Sequence, residues 1–132
     1  MWFKNCKIEL QCVPIIIGGT LCTSLRKSDK KANVLLAMAA QRGNATAQYI
    51  LGQNYYQGID GLTQSSKRAI KYWTLAAEQG HPNAQYNLGL MFAQGKGIEQ
   101  SYSKAREWWA KAATQGIKEA IKGLKVLDES GV

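Results

Sequence analysis

The chain has 132 residues, 45% of them hydrophobic and 20% charged, a composition that suits one packed domain and excludes a disordered chain. Its 17 Lys and Arg against 9 Asp and Glu give a net charge of +8, half of it carried by the first 31 residues, so the body is only mildly basic. No apolar run reaches the length of about eighteen residues that a membrane-spanning helix needs, and no aromatic-and-basic platform for stacking bases is spaced along the chain, so neither a membrane span nor a nucleic-acid partner is expected.

The first 27 residues read unlike the rest. Cys6, Cys12 and Cys22 are the only cysteines, odd in number and spaced for neither a disulfide framework nor a zinc site. They read as reduced thiols, and no metal or cofactor is expected. Lys4 and Lys7 ahead of the apolar stretch 13–21 have the outline of a secretory signal, yet Glu9, Gln11, Pro14, Gly18 and Gly19 interrupt it. The favoured reading is a degenerate leading unit that packs Ile15, Ile16 and Ile17 on the first helix of a cytoplasmic protein, with export through this weak signal as the alternative. The basic run at 26–31 reads as a solvated helix start. Ser28 and Asp29 stand just before an apolar-periodic run and predict a helix over 28–42.

From residue 28 the chain repeats with a period of 36 to 37 residues. Ala47, Gln48, Tyr49, Leu51 and Gly52 return as Ala84, Gln85, Tyr86, Leu88 and Gly89. After a one-residue shift near Ile59, the set Gln64, Ser65, Ala69, Trp73, Ala76, Ala77, Gln79 and Gly80 returns as Gln100, Ser101, Ala105, Trp109, Ala112, Ala113, Gln115 and Gly116. Lys31-Ala32 and Ala39-Ala40-Gln41-Arg42-Gly43 stand one period before Arg68-Ala69 and Ala76-Ala77-Glu78-Gln79-Gly80, as half of an earlier unit. Such periods mark stacked helix pairs. The expected layout is an atypical segment 1–27, a half-unit 28–43, repeats at 44–80 and 81–116, and a capping helix at 117–129.

Each unit reads as two helices. The first, 45–57 and 82–94, follows Asn44 or His81-Pro82 and closes at Gly58 or Gly95. The second, 65–79 and 101–115, opens on a capping Ser and closes at Gly80 or Gly116. Small residues at Ala47, Gly52, Ala69 and Ala76 let helices approach, and Leu51, Tyr55, Tyr72, Trp73 and their counterparts fill the space between them. The tryptophans are expected in the core. His81 is the one candidate base and reads as a helix cap, without a catalytic partner. Gly95-Lys96-Gly97 reads as a connecting loop and not a phosphate cradle. Asn44-Ala45-Thr46 has the form of a glycosylation sequon at a position that suits a cap. Ser130-Gly131-Val132 matches a tail that an added-strand groove can take. Enzyme function is not expected.

The pattern A-x-x-x-L-G-x-x-Y/F, then A-x-x-x-W-x-x-A-A-x-x-G, resembles the Sel-one-like repeat (SLR) family of tetratricopeptide-like solenoids over residues 28–129. The resemblance implies an all-α fold, a right-handed α/α superhelix of antiparallel helix pairs with about two and a half repeats and a C-terminal cap. It also implies a non-catalytic adaptor or scaffold that holds other proteins. The expected binding surface is the groove lined by the first helices. With Leu51, Gly52 and Tyr55 turned inward, helix geometry turns Tyr49, Gln53, Tyr56 and Gln57 outward, together with Tyr86, Leu90, Ala93 and Gln94 in the next unit. Thr46 and Asn83 join them through the resemblance. The alternative is a structural fragment that stacks on another helical-repeat protein or on its own copy, so a homo-oligomer is compatible with the sequence.

Overall fold

Local chemistry at the helix ends sets the architecture. The computed structural model describes residues 20–59 and 61–132, with side chains from residue 31 onward. These residues form α1 (Thr20–Gln41), α2 (Ala45–Gln57), α3 (Ser66–Glu78), α4 (Pro82–Gln94), α5 (Tyr102–Thr114) and α6 (Lys118–Ser130), with no strand among them. Consecutive helices pack on one another all along the chain. The fold is the expected all-α superhelix of antiparallel pairs, in which α2 with α3 and α4 with α5 make the two complete units.

The helix starts follow from side-chain acceptors. Asn44 Oδ1 accepts from Ala47 N–H at 2.9 Å, Ser65 Oγ from Arg68 N–H at 3.2 Å, and Ser101 Oγ from Lys104 N–H at 3.3 Å. Each satisfies a donor that the first turn leaves free. The repeated Gln-Ser pair has two jobs, since Gln64 Nε2 donates to Tyr56 O and Gln100 Nε2 to Ala93 O, tying the loop back to the helix just left. The second helices end on a Schellman turn. Gly80 adopts φ +94°, its N–H donates to Ala77 O, and His81 N–H donates to Ala76 O. The same two bonds close α1 on Ala40 and Ala39, and α5 on Ala113 and Ala112. The Ala-Ala-x-x-Gly signature is thus the sequence form of that turn.

One start differs from expectation. α1 begins at Thr20, so Ser28 and Asp29 lie inside the helix and do not open it. Residues 20–41 contain neither Gly nor Pro, and a capping side chain within such a run has no break to cap. The expectations placed on residues 1–19, among them the packing of Ile15, Ile16 and Ile17, the signal outline and the thiols of Cys6 and Cys12, lie outside the described residues, as does the Cys22 side chain.

Within a unit the two helices meet through an indole seated on a glycine. A β-carbon at Gly89 would stand 2.5 Å from Trp109 Cδ1 and 2.6 Å from its Nε1, and one at Gly52 would stand 2.7 Å from the same atoms of Trp73. The indole N–H, buried in this seat, donates to the carbonyl of Tyr86 at 3.1 Å or of Tyr49 at 3.2 Å. Trp73 is 2% exposed and Trp109 6%, as a core role requires. Around them Ala69, Ala76, Ala84, Ala105, Ala112 and Ala120 are buried with Leu88, Met91 and Phe92 in one continuous core. Tyr55 and Trp108 are half-buried at its edge, and Tyr55 stacks at 5.7 Å on Tyr72, which is half-buried against the smaller cluster of Ala40, Ala47 and Leu51.

Between units a polar fastening is added to this core. Gln48, almost wholly buried, donates from Nε2 to Ala40 O of the preceding second helix and accepts at Oε1 from Gln79 of its own unit. Gln85 repeats this with Ala77 O and Gln115, and Gln115 Nε2 also reaches Gly80 O. Each glutamine amide therefore clips three helices together. At the start of the stack a further buried pair, Asn54 Nδ2 to Asn33 Oδ1 at 2.6 Å, joins α2 to α1.

Two substitutions test this core. Gly89→Val sets a branched side chain against the Trp109 indole and is expected to destabilise by about 1 to 3 kcal/mol, read as a lower denaturant midpoint. Gln85→Leu removes the buried hydrogen bond to Ala77 O together with the acceptor of Gln115 and is expected to cost about 1 to 3 kcal/mol by the same measurement.

Candidate functional site

The first helices α2 and α4 run side by side and touch directly, through Asn87 Nδ2 donating to Gln53 Oε1 at 3.3 Å. On this face Thr46 and Asn83 are exposed at the helix starts, and Gln57 and Gln94 are exposed at the ends. Between them Tyr49, Gln53, Tyr56, Tyr86, Leu90 and Ala93 are half-buried. The Tyr49 ring stacks on the His81 imidazole at 4.7 Å, and Tyr86 stacks on Trp109 at 6.2 Å. Tyr56 tilts against Trp73 at 5.5 Å. Leu90 and Ala93 rest on the core. The tyrosines therefore give part of their surface to packing and leave part on the face, held stiffly by their ring contacts.

The one cation on this edge is Lys96 among the described residues that contact Tyr56. Its Nζ bonds the Tyr56 hydroxyl at 2.9 Å and lies 4.6 Å from the ring centroid. Neither Lys96 nor Asn87 was singled out by the sequence for this face. Asn87 had a signal: it stands where the preceding unit has Ile50, and a polar-for-apolar change at one repeat position marks a specific contact.

His81 closes the junction between the units. Its Nδ1 accepts from Ala84 N–H at 3.3 Å, which caps α4 and requires that nitrogen to be unprotonated. Burial lowers its pKa from the ordinary 6.5. Asn44 fills the same role one unit earlier. The Ser130-Gly131-Val132 tail is folded against α6, since Val132 N–H donates to Leu127 O and Val132 O accepts from Arg106, which also pairs with Asp128. Among the described residues no group of three His, Cys, Asp or Glu side chains could hold a metal ion. No described helix is long and apolar enough to cross a membrane.

Three successive matches to the Sel1 repeat cover residues 19–44, 45–81 and 82–117. The chain belongs to the Sel1-repeat family. A protective antigen present in uropathogenic Escherichia coli strains, which displays an SLR fold, superposes with a TM-score of 0.71 at 37% identity over 75% of this chain and 21% of its own. A Sel1 repeat protein from Oxalobacter formigenes superposes with a TM-score of 0.66 at 38% identity, over 68% of this chain and 67% of its own. This chain thus spans about a fifth of the first protein and two thirds of the second. No curated protein matches the sequence. Sel1 repeats are in general protein-interaction repeats, and proteins built from them are generally non-catalytic scaffolds.

The His81 cap gives a pH dependence whose sign is fixed. Its folded-state pKa lies below the unfolded value, so the unfolded chain binds a proton that the folded chain refuses, and this contribution to stability is complete above about pH 6.5 and is lost on acidification. His81→Asn keeps a capping acceptor and removes the titration. Unfolding midpoints measured between about pH 7 and pH 5 are expected to fall less in this variant than in the parent.

Proposed function

We propose that this chain is a non-catalytic adaptor that binds an extended segment or a helix of another protein along the face of α2 and α4. The observation that carries the reading is the composition of that face. Tyr49, Tyr56 and Tyr86 are stiff aromatic surfaces fixed by His81, Trp73 and Trp109, and they are bordered by the exposed amides and hydroxyl of Gln57, Gln94, Asn83 and Thr46. Rigid tyrosines supply contact area at little cost in side-chain entropy. Amides both donate and accept, so they suit the alternating N–H and C=O groups of an extended backbone. Leu90 and Ala93 add an apolar stretch against which one side chain of the partner can rest. General membership in a protein-interaction family supports the same reading.

The test selects peptides from a displayed library on the immobilised 132-residue chain and measures their affinity. Gln57→Ala with Gln94→Ala removes exposed amides only. It is expected to weaken a selected peptide by about tenfold or more while stability changes by less than about 0.5 kcal/mol. Tyr49→Ala with Tyr86→Ala is expected to abolish binding and also to lower the midpoint, because both rings stack on neighbours. Selected peptides that bind equally well to both double variants would show that recognition happens elsewhere.

A further inference from the structure

The repeat register gives every residue at the two ends of the stack a counterpart inside it, and the ends match each other. α1 is a second helix, the type of α3 and α5, which each pack on the first helix of their own unit. Among the described residues α1 has no such first helix. α6 is a first helix, the type of α2 and α4, and no described second helix follows it. If α6 of one molecule took the place beside α1 of another, the contacts made inside the chain would predict the contacts between molecules.

Three internal contacts can be carried over. Gln53 of one first helix meets Asn87 of the next, polar against polar. The residues at those two positions across the ends are Val126 of α6 and Ile50 of α2, both apolar and exposed, at 61% and 37%. Both partners have changed polarity together. Next, Arg68 of α3 lies 5.4 Å from the Tyr55 ring centroid, and Lys104 of α5 lies 5.4 Å from that of Phe92. At the ends these positions hold Lys31 of α1 and Asp128 of α6. The cation is kept and the ring is replaced by a carboxylate, so the contact becomes an ion pair. Asp128 already pairs with Arg106 and still has two thirds of its side chain exposed, which leaves oxygen surface free for a second cation. Finally, the indole on glycine, Trp73 on Gly52 and Trp109 on Gly89, has Leu36 and Lys125 as its end counterparts. A lysine stem would collide with an indole there, and the smaller leucine leaves it room.

We infer that the chain stacks head to tail on a second copy of itself, α6 of one copy completing a helix pair with α1 of the next, Val126 against Ile50 and Asp128 against Lys31. The contact joins unlike surfaces, so it repeats: each copy keeps one free head and one free tail, and assembly grows into a filament or closes into a ring. It reaches beyond the adaptor reading and does not depend on it, since the face of α2 and α4 stays open and is lengthened by each added copy.

Sedimentation of the 132-residue chain from micromolar to millimolar concentration tests the inference. The average mass is expected to rise with concentration. Val126→Glu blocks the tail and Ile50→Glu the head, so each variant alone is expected to be monomeric, with unchanged far-ultraviolet circular dichroism because both sites are exposed. Mixed in equal amounts they are expected to form a dimer that grows no further, each supplying its one intact end. Lys31→Glu is expected to weaken association by about tenfold or more, as like charges then face each other. A parent that stays monomeric throughout would overturn the inference. An assembly indifferent to both glutamates, or one whose two variants form no mixed dimer, would overturn it in favour of another surface.

Discussion

The seat of an indole on a glycine fixes the spacing of each helix pair, and the remaining geometry follows from it. At Gly89 and Gly52 there is room for a hydrogen and not for a methyl group, so the axes of α4 and α5, and of α2 and α3, are drawn as close as a flat ring allows. The indole N–H adds an axial constraint. It must reach the carbonyl of Tyr86 or Tyr49, and a helix sliding by one residue would lose that bond inside a buried seat. Trp109 is also approached from its other side, where a β-carbon at Gly123 of α6 would stand 2.7 Å from Cζ3. One side chain thereby sets the distance to two first helices, and the buried alanines around it are small because the helices are already close.

Most of this was legible in the sequence, for a local reason. Asn44, Ser65, Ser101, Gly58, Gly80, Gly95 and Gly116 act within a turn of themselves, so their residue types announce the helix ends they make. Leu-Gly and Trp at a constant spacing announce the pair. The start of α1 was not legible, because Ser28 carries a capping side chain but stands in a run with nothing to interrupt the helix. The amide clips were not legible either. Gln48 and Gln79, or Gln85 and Gln115, are far apart in the chain, and Gln48 and Gln85 read as surface until their burial between three helices is known.

The face of α2 and α4 shows a subtler gap between pattern and structure. Helix geometry turns Tyr49 and Tyr86 away from the interior of their own pair, and that much depends on a single helix. How far they are exposed depends on neighbours that the helical wheel leaves out. A first helix in a two-layer stack touches its own second helix, the second helix before it and the first helices on either side. Tyr49 therefore meets His81 from the next junction, and Tyr56 meets Trp73 and Lys96. The same crowding makes the tyrosines useful as a binding surface, since a ring already stacked on one side loses little freedom when a partner covers the other.

The position of His81 then matters more than its single capping bond. In a stack, stability is close to a sum of unit terms and nearest-neighbour contacts, and the junction between the two complete units is the contact on which cooperation between them rests. His81 caps α4, stacks on Tyr49 of the preceding unit, and gives its backbone N–H to the Schellman turn that ends α3. Protonation removes the first of these directly and places a charge in a partly desolvated site next to the second. The outer junctions contain nothing that titrates in the same way, because Asn44 stands before α2 and Ile117 before α6. Protonation of His81 therefore acts on the middle of the molecule, where a loosened contact separates one complete unit from the other, while Asn44 and Ile117 at the outer junctions carry no proton to gain in the same range.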